Sequence, residues 1–403
     1  MIANDALFTF IGLRTGIAFW RQLIWLIGVI IMFSFIKRNE IDSLALYIYK
    51  KYFKVFICVF VLSIVTILVD GFNPVRIIYT WIEYSYGLPF LLFPMICRKC
   101  GWSVSKMNYL FIFLGSFLTT GLLLDYFFGG LFTTAFALSV GDGIEHFDTG
   151  RYNFLSTSNG ILTVYYSLCL FCCFYEFHRS KSTFLKFLLI LLTVFFIFGS
   201  IYTGARQTLV GLILMELIGV LSIIRRNIIG SIILFVTMGL LFSIVVPSVS
   251  KLLSDNQGYQ NRYTVEAIKE DTRSEMWNRG FNDNFVEASV RRLTIGDGVG
   301  LVNSQKANVG EATGPNYENT FFARISEIGV MLGLLSLLIP VFFLMKKRGI
   351  VLYNLHWGVI LSFLFISVVS PNGATNQSQM AIFILLGMYI EDYRQENVWK
   401  RRI

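Results

Sequence analysis

The sequence predicts an all-α fold, a polytopic inner-membrane helical bundle of about 11–12 spans with one large periplasmic loop containing amphipathic helices. Three observations carry that prediction. Only 15% of the 403 residues are charged, against about 25% in an ordinary soluble domain, while 55% are hydrophobic and the mean hydropathy is +0.64. Apolar runs such as 184–201 and 228–246 suit a hydrocarbon core that takes about 20 residues per helix. Lys and Arg gather between alternate runs, as the positive-inside rule requires of cytoplasmic loops. A soluble enzyme is excluded by this composition. An outer-membrane barrel is excluded because its strands read as segments of about 10 residues with alternating polarity.

The basic clusters set the topology. They are Lys37, Arg38, Lys50, Lys51 and Lys54; Arg98, Lys99 and Lys106; Arg179, Lys181 and Lys186; Arg225 and Arg226; Lys346, Lys347 and Arg348; and Arg394, Lys400, Arg401 and Arg402. Placing each in the cytoplasm gives spans near 17–36, 55–70, 80–97, 108–130, 156–176, 184–202, 207–224, 228–247, 320–345, 350–369 and 376–392, with the C-terminus inside. Residues 5–16 are apolar enough for a re-entrant or twelfth segment. The start lacks a basic n-region and a small-residue cleavage site, so the first helix is expected to serve as the targeting signal. The chain thus divides into transmembrane helices over 1–246, a periplasmic loop over 247–318, and transmembrane helices with a cytoplasmic tail over 319–403. The net charge of +9 is a signal of topology, not of nucleic-acid binding.

Chemistry is expected on the outer face, where the long hydrophilic loop lies. The inner loops are brief and carry no Gly-rich phosphate loop, which argues against nucleotide-driven transport or a kinase. The cysteines Cys58, Cys97, Cys100, Cys169, Cys172 and Cys173 fall in spans or at their cytoplasmic ends. Zinc would need four ligands converging on a tetrahedron, so these read as small apolar helix residues and no metal or cofactor is expected.

Within the loop, Ile268, Met276, Trp277, Phe281 and Phe285 recur at helical spacing opposite a charged face over 263–290, the pattern of amphipathic helices lying on a membrane surface. Arg262 and Arg273 are about three turns apart and share a face if that helix is continuous. The loop has eight Lys or Arg against ten Asp or Glu, so particular arginines matter more than a general basic patch. Gly296, Gly298 and Gly300 follow, either as a turn that uses positive φ or as backbone amides that approach a phosphate or sugar. Charged residues within spans complete the candidates. Arg324 and Glu327, at i and i+3, can satisfy one another and read as a structural pair. Arg206 has no acid near it in sequence and reads as functional.

Four short patterns resemble the O-antigen polymerase and O-antigen ligase superfamily. They are Arg151-Tyr152-Asn153-Phe154-Leu155-Ser156-Thr157-Ser158-Asn159 entering a central span, Thr203-Gly204-Ala205-Arg206 entering a later one, Arg273-Ser274-Glu275-Met276-Trp277 with Gly296-Asp297-Gly298-Val299-Gly300 in the large loop, and Tyr317-Glu318-Asn319 running to Glu327-Ile328-Gly329. Together they cover less than half of the chain, around one outer loop. The ligase branch has His immediately before Asn, where this chain has Glu318, which favours the polymerase branch.

The resemblance implies a glycosyltransferase that joins undecaprenyl-pyrophosphate-linked repeat units of O-antigen or capsule on the periplasmic face. It implies membrane lipids as surroundings, a chain-length regulator protein as a further candidate partner, and no nucleic acid. Arg206 and Arg273 would stabilise the departing pyrophosphate through two-point hydrogen bonds, helped by Arg151 and Arg262. Glu318 would accept the proton of the acceptor hydroxyl; its alternative reading is a helix cap. Asn159, Trp277, Tyr317 and Asn319 would bind substrate, with Asp142, Glu145, His146 and Asp148 in reserve. Two other functions compete: a ligase that transfers polymer to a lipid A-core acceptor, and a lipid-linked-sugar transporter. No internal repeat of the kind common in transporters is evident.

Overall fold

The computed structural model describes residues 20–39, 45–50, 52–54, 57–58, 61, 86–132, 154, 159–203, 206–224, 239, 243, 273–297, 319–345, 364, 380–388 and 390–391. Among these residues all regular structure is helical and no strand occurs. In chain order the elements are α1 (Trp20–Arg38), a 3₁₀ turn (Leu88–Leu92) running into α2 (Phe93–Lys99), α3 (Val104–Phe127), α4 (Asn159–Arg179), α5 (Thr183–Tyr202) and α6 (Arg206–Ile224). Then come α7 (Arg273–Phe281) with a π turn (Asn282–Val286), α8 (Val290–Thr294) and α9 (Thr320–Met345). The chain divides into two compact units: Met1–Phe35, Cys97–Glu270 and Val351–Ser362 form the first, and Ile36–Ile96, Asp271–Ile350 and Phe363–Ile403 the second.

In the first unit α3, α4, α5 and α6 pack together, with α4 at the centre: every residue from Tyr165 to Phe177 is buried. Small residues let the backbones approach, as is usual where helices meet in a membrane. Gly115 of α3 lies against Cys169 and Phe196, Gly199 of α5 against Thr119, and Gly219 of α6 against Phe174. Serine side chains start two of the helices, Ser103 accepting from the Lys106 amide at 3.2 Å and Ser182 from the Leu185 amide at 3.3 Å. Polar and aromatic side chains also meet across helices. Asn108 Nδ2 donates to Glu176 Oε1 at 2.6 Å, and the Tyr126 and Tyr202 rings meet edge to face at 4.6 Å.

The outward faces of this unit are as apolar as its interior. On α6, Ile213, Leu217 and Leu221 are exposed at i, i+4 and i+8 while Leu212 and Met215 are buried. On α3 and α5, Phe113, Phe117, Phe127 and Phe184 are exposed. A helix that is hydrophobic all round belongs in a core or in hydrocarbon, and these faces are not covered by protein. Two of the described helices, α3 and α5, are long and apolar enough to cross a membrane.

The second unit holds two departures from the expected spans. Within the expected span over 80–97 the described residues begin at 86, and residues 86–92 form a turn and a 3₁₀ segment before regular α-helix starts at Phe93; Pro89 and Pro94 remove the amides that would continue one ladder. Gly387, in the helical stretch 380–388, packs on the Leu91 carbonyl and the Pro94 ring. The expected single span over 320–345 is also interrupted. Gly329 has φ 81° and ψ 166°, which divides α9 into Thr320–Ile328 and Val330–Met345. Gly333, beyond the break, lies against the Arg324 and Ile325 backbone before it, so the two pieces fold towards each other. Arg324 and Glu327 therefore sit in the short first piece, both buried and both engaged by partners.

Candidate functional site

In the second unit, α7, the π turn and α8 fold onto the first piece of α9, and the joint is made by two glycines. α8 ends at Thr294 and is closed off by Gly296 with φ +81°, where the amides of Ile295 and Gly296 both return to the Arg291 carbonyl, at 2.9 and 3.1 Å. The Gly296 Cα rests on the Glu327 and Ile328 backbone, and the Gly329 Cα rests on the Thr294 carbonyl, leaving no room for a Cβ at either position. The break at Gly329 interrupts the hydrogen-bond ladder of α9, and the Asp297 amide supplies a donor to the Ser326 carbonyl at 2.8 Å. Two of the sequence patterns, the glycine-rich turn and the segment ending at Gly329, are thus clasped backbone to backbone.

Arginines collect at this clasp. Arg292 donates through Nε and Nη2 to Asp297 Oδ2 and through Nη1 to the Asp283 carbonyl at 2.8 Å, tying the π turn to the glycine turn. Arg291 Nη2 reaches the Asp297 carbonyl at 3.4 Å. Arg279 and Asp283 form a looser pair at 3.8 Å, with the arginine largely exposed, an arrangement that contributes little. On the same stretch the Trp277 indole Nε1 is buried with no hydrogen-bond partner among the described residues, and so is Asn284 Oδ1, whose Nδ2 donates to the Gly280 carbonyl at 2.8 Å.

Asn319 begins α9 as its N-cap. It is buried, and its Oδ1 accepts from the Phe321 and Phe322 amides at 2.8 and 3.2 Å. That oxygen is committed to the helix, so any contact with a ligand falls to the Nδ2 group. The capping role weighed for Glu318 is therefore filled by its neighbour.

Of the other candidates, Arg273 is the first residue of α7, Arg206 the first of α6 and Asn159 the first of α4; their side chains lie outside the described residues. Glu318, Tyr317, Arg151 and Arg262 lie outside them altogether, as do Asp142, Glu145, His146, Asp148, Gly298 and Gly300. Arg206 belongs to the first unit; Arg273, Trp277 and Asn319 belong to the second. Among the described residues no group of His, Cys, Asp and Glu is placed to hold a metal ion.

Sequence reading passed over the Arg291–Arg292–Asp297 cluster and the break at Gly329. The first had a faint signal, two adjacent arginines just before an aspartate flanked by glycines. The second had a plainer one, a glycine where a charged helical pattern turns into an uncharged apolar run. No protein-family model matches the chain, and no curated protein or solved structure matches it.

Proposed function

We propose that the chain is a multi-pass inner-membrane glycosyltransferase of the O-antigen polymerase type, with its active site facing the periplasm and a role in lipopolysaccharide or capsule biosynthesis. The observation that carries the reading is the clasp of Gly296 on Glu327 and Gly329 on Thr294. It brings together two stretches that are separated in the sequence and that were both quoted for the resemblance. The apolar exposed faces of α3, α5 and α6 support the membrane setting.

In the reaction, a hydroxyl of the incoming lipid-linked unit attacks the anomeric carbon of the growing chain. The bond from that carbon to the undecaprenyl pyrophosphate breaks, and the pyrophosphate leaves with the electron pair. Glu318 takes the proton of the attacking hydroxyl. Arg273 stabilises the charge that develops on the leaving oxygens, an effect that strengthens where water is excluded. Trp277 offers a ring face and a buried N–H to a sugar, and Asn319 offers its Nδ2. Arg206 shares with Arg273 the stabilisation of the departing pyrophosphate, helped by Arg151 and Arg262, and Asn159 and Tyr317 keep the substrate-binding roles that the resemblance implies.

Purified protein in proteoliposomes with undecaprenyl-pyrophosphate-linked repeat units, and no nucleotide sugar, tests the proposal. The expected product is a ladder of longer lipid-linked chains. Movement of the lipid-linked sugar across the bilayer without elongation would favour a transporter instead.

A further inference from the structure

The exposed surface of the α7–α8 segment is unusually apolar for a stretch so rich in charge. Phe281, Phe285, Val286, Val290 and Leu293 are all exposed, Val286 at 67% and Val290 at 79%. The Phe281 and Phe285 rings lie 5.4 Å apart and make one surface, which the contact of Phe285 with Phe322, at 6.5 Å, ties to the head of α9. Scattered exposed apolar residues need no explanation, but five between positions 281 and 293, two of them with their rings in tilted contact, form a patch.

What lies next to the patch indicates what covers it. Just past the break at Gly329, Met331 is 74% exposed, and from Ile328 to Met345 the chain carries no charged residue. Because the glycine clasp holds α8 against that break, the patch is fixed beside the point where the uncharged helix begins. If that helix enters the bilayer, the patch sits at the boundary between headgroups and acyl chains. Charge argues against attraction to anionic lipid: residues 273–297 carry Arg273, Arg279, Arg291 and Arg292 against Glu275, Asp283, Glu287 and Asp297, and so are neutral.

We propose that Phe281, Phe285, Val286, Val290 and Leu293 form a lipid anchor that immerses in the interfacial region of the bilayer by apolar burial, with no requirement for anionic headgroups. The anchor holds the glycine turn and its arginines at a set depth beside the membrane. This inference rests on the second piece of α9 entering the bilayer and is independent of the glycan chemistry.

The test uses the full-length protein with Cys58, Cys97 and Cys100 replaced by serine, reconstituted in phosphatidylcholine nanodiscs. A nitroxide is attached after Val286→Cys, Val290→Cys or, as the water-facing reference, Glu275→Cys. Collisions with dissolved oxygen, which concentrates in lipid, are compared with collisions with a water-soluble nickel chelate. Oxygen is expected to dominate at 286 and 290 and the chelate at 275, with no change when phosphatidylglycerol is added. Chelate dominance at 286 and 290 would overturn the anchor. So would labels that neither reagent reaches, since protein, a second copy included, would then cover the patch. Oxygen dominance that appears only with phosphatidylglycerol would overturn the claim that apolar burial suffices.

Discussion

Replacing Gly329 with alanine is expected to destabilise the protein more than any other single methyl addition in the second unit. Its φ of 81° and ψ of 166° lie in a region open essentially to glycine alone, where another residue costs about 1–3 kcal/mol in backbone strain. The added Cβ would also meet the Thr294 carbonyl, which is backbone and cannot swing aside. Gly296→Ala strains the same joint from the other side, against the Glu327 backbone. Since both changes open one contact, the double variant should lose less than the sum of the two single losses. Gly28→Ala, in α1, is the natural control: nothing lies within 4 Å of a Cβ there, and alanine suits a helix better by about 0.5–1 kcal/mol. Thermal unfolding in detergent checks the set. A Gly329→Ala protein that melts with the wild type would show that the break in α9 is not a fixed feature.

The second large effect is on chemistry. Glu318→Gln keeps the size and polarity of the side chain and removes its capacity to accept a proton, so elongation in proteoliposomes is expected to fall by about 10²–10⁴-fold. The structure sharpens this test. The amides at the start of α9 are capped by Asn319, so a loss of elongation in Glu318→Gln cannot be assigned to a lost helix cap. The variant should therefore melt with the wild type while failing to elongate. Full elongation by Glu318→Gln would remove the general-base role and leave the polymerase assignment standing.

The helical class was legible because the signals for it are redundant. Apolar blocks are bounded by serine caps and basic clusters, so α3, α5 and α6 begin and end within a few residues of the expected spans. Gly296 was legible as well, since a glycine just past an arginine-rich helical end suits a positive φ. The break at Gly329 was marked only by a glycine where charge gives way to an uncharged run, and periodicity counts residues without regard to a single dihedral, so the interruption itself did not show. The Arg292–Asp297 tie escaped for a related reason. It depends on the chain reversing at Gly296, which brings together side chains that no straight helix would pair. The Asn319 cap was legible only as a residue type, for asparagine suits a cap and a sugar contact equally well, and it is the two accepted amides that commit its oxygen to the first.

The most direct measurement of the central claim is the surface polysaccharide of a host strain that lacks this chain, separated on a gel beside a strain in which the wild type is restored. The proposal predicts core carrying a single repeat unit in the deletion strain and a full ladder on restoration, because ligation continues when elongation stops. Core carrying no repeat unit, with long chains stranded on the lipid carrier, would contradict it and identify a ligase.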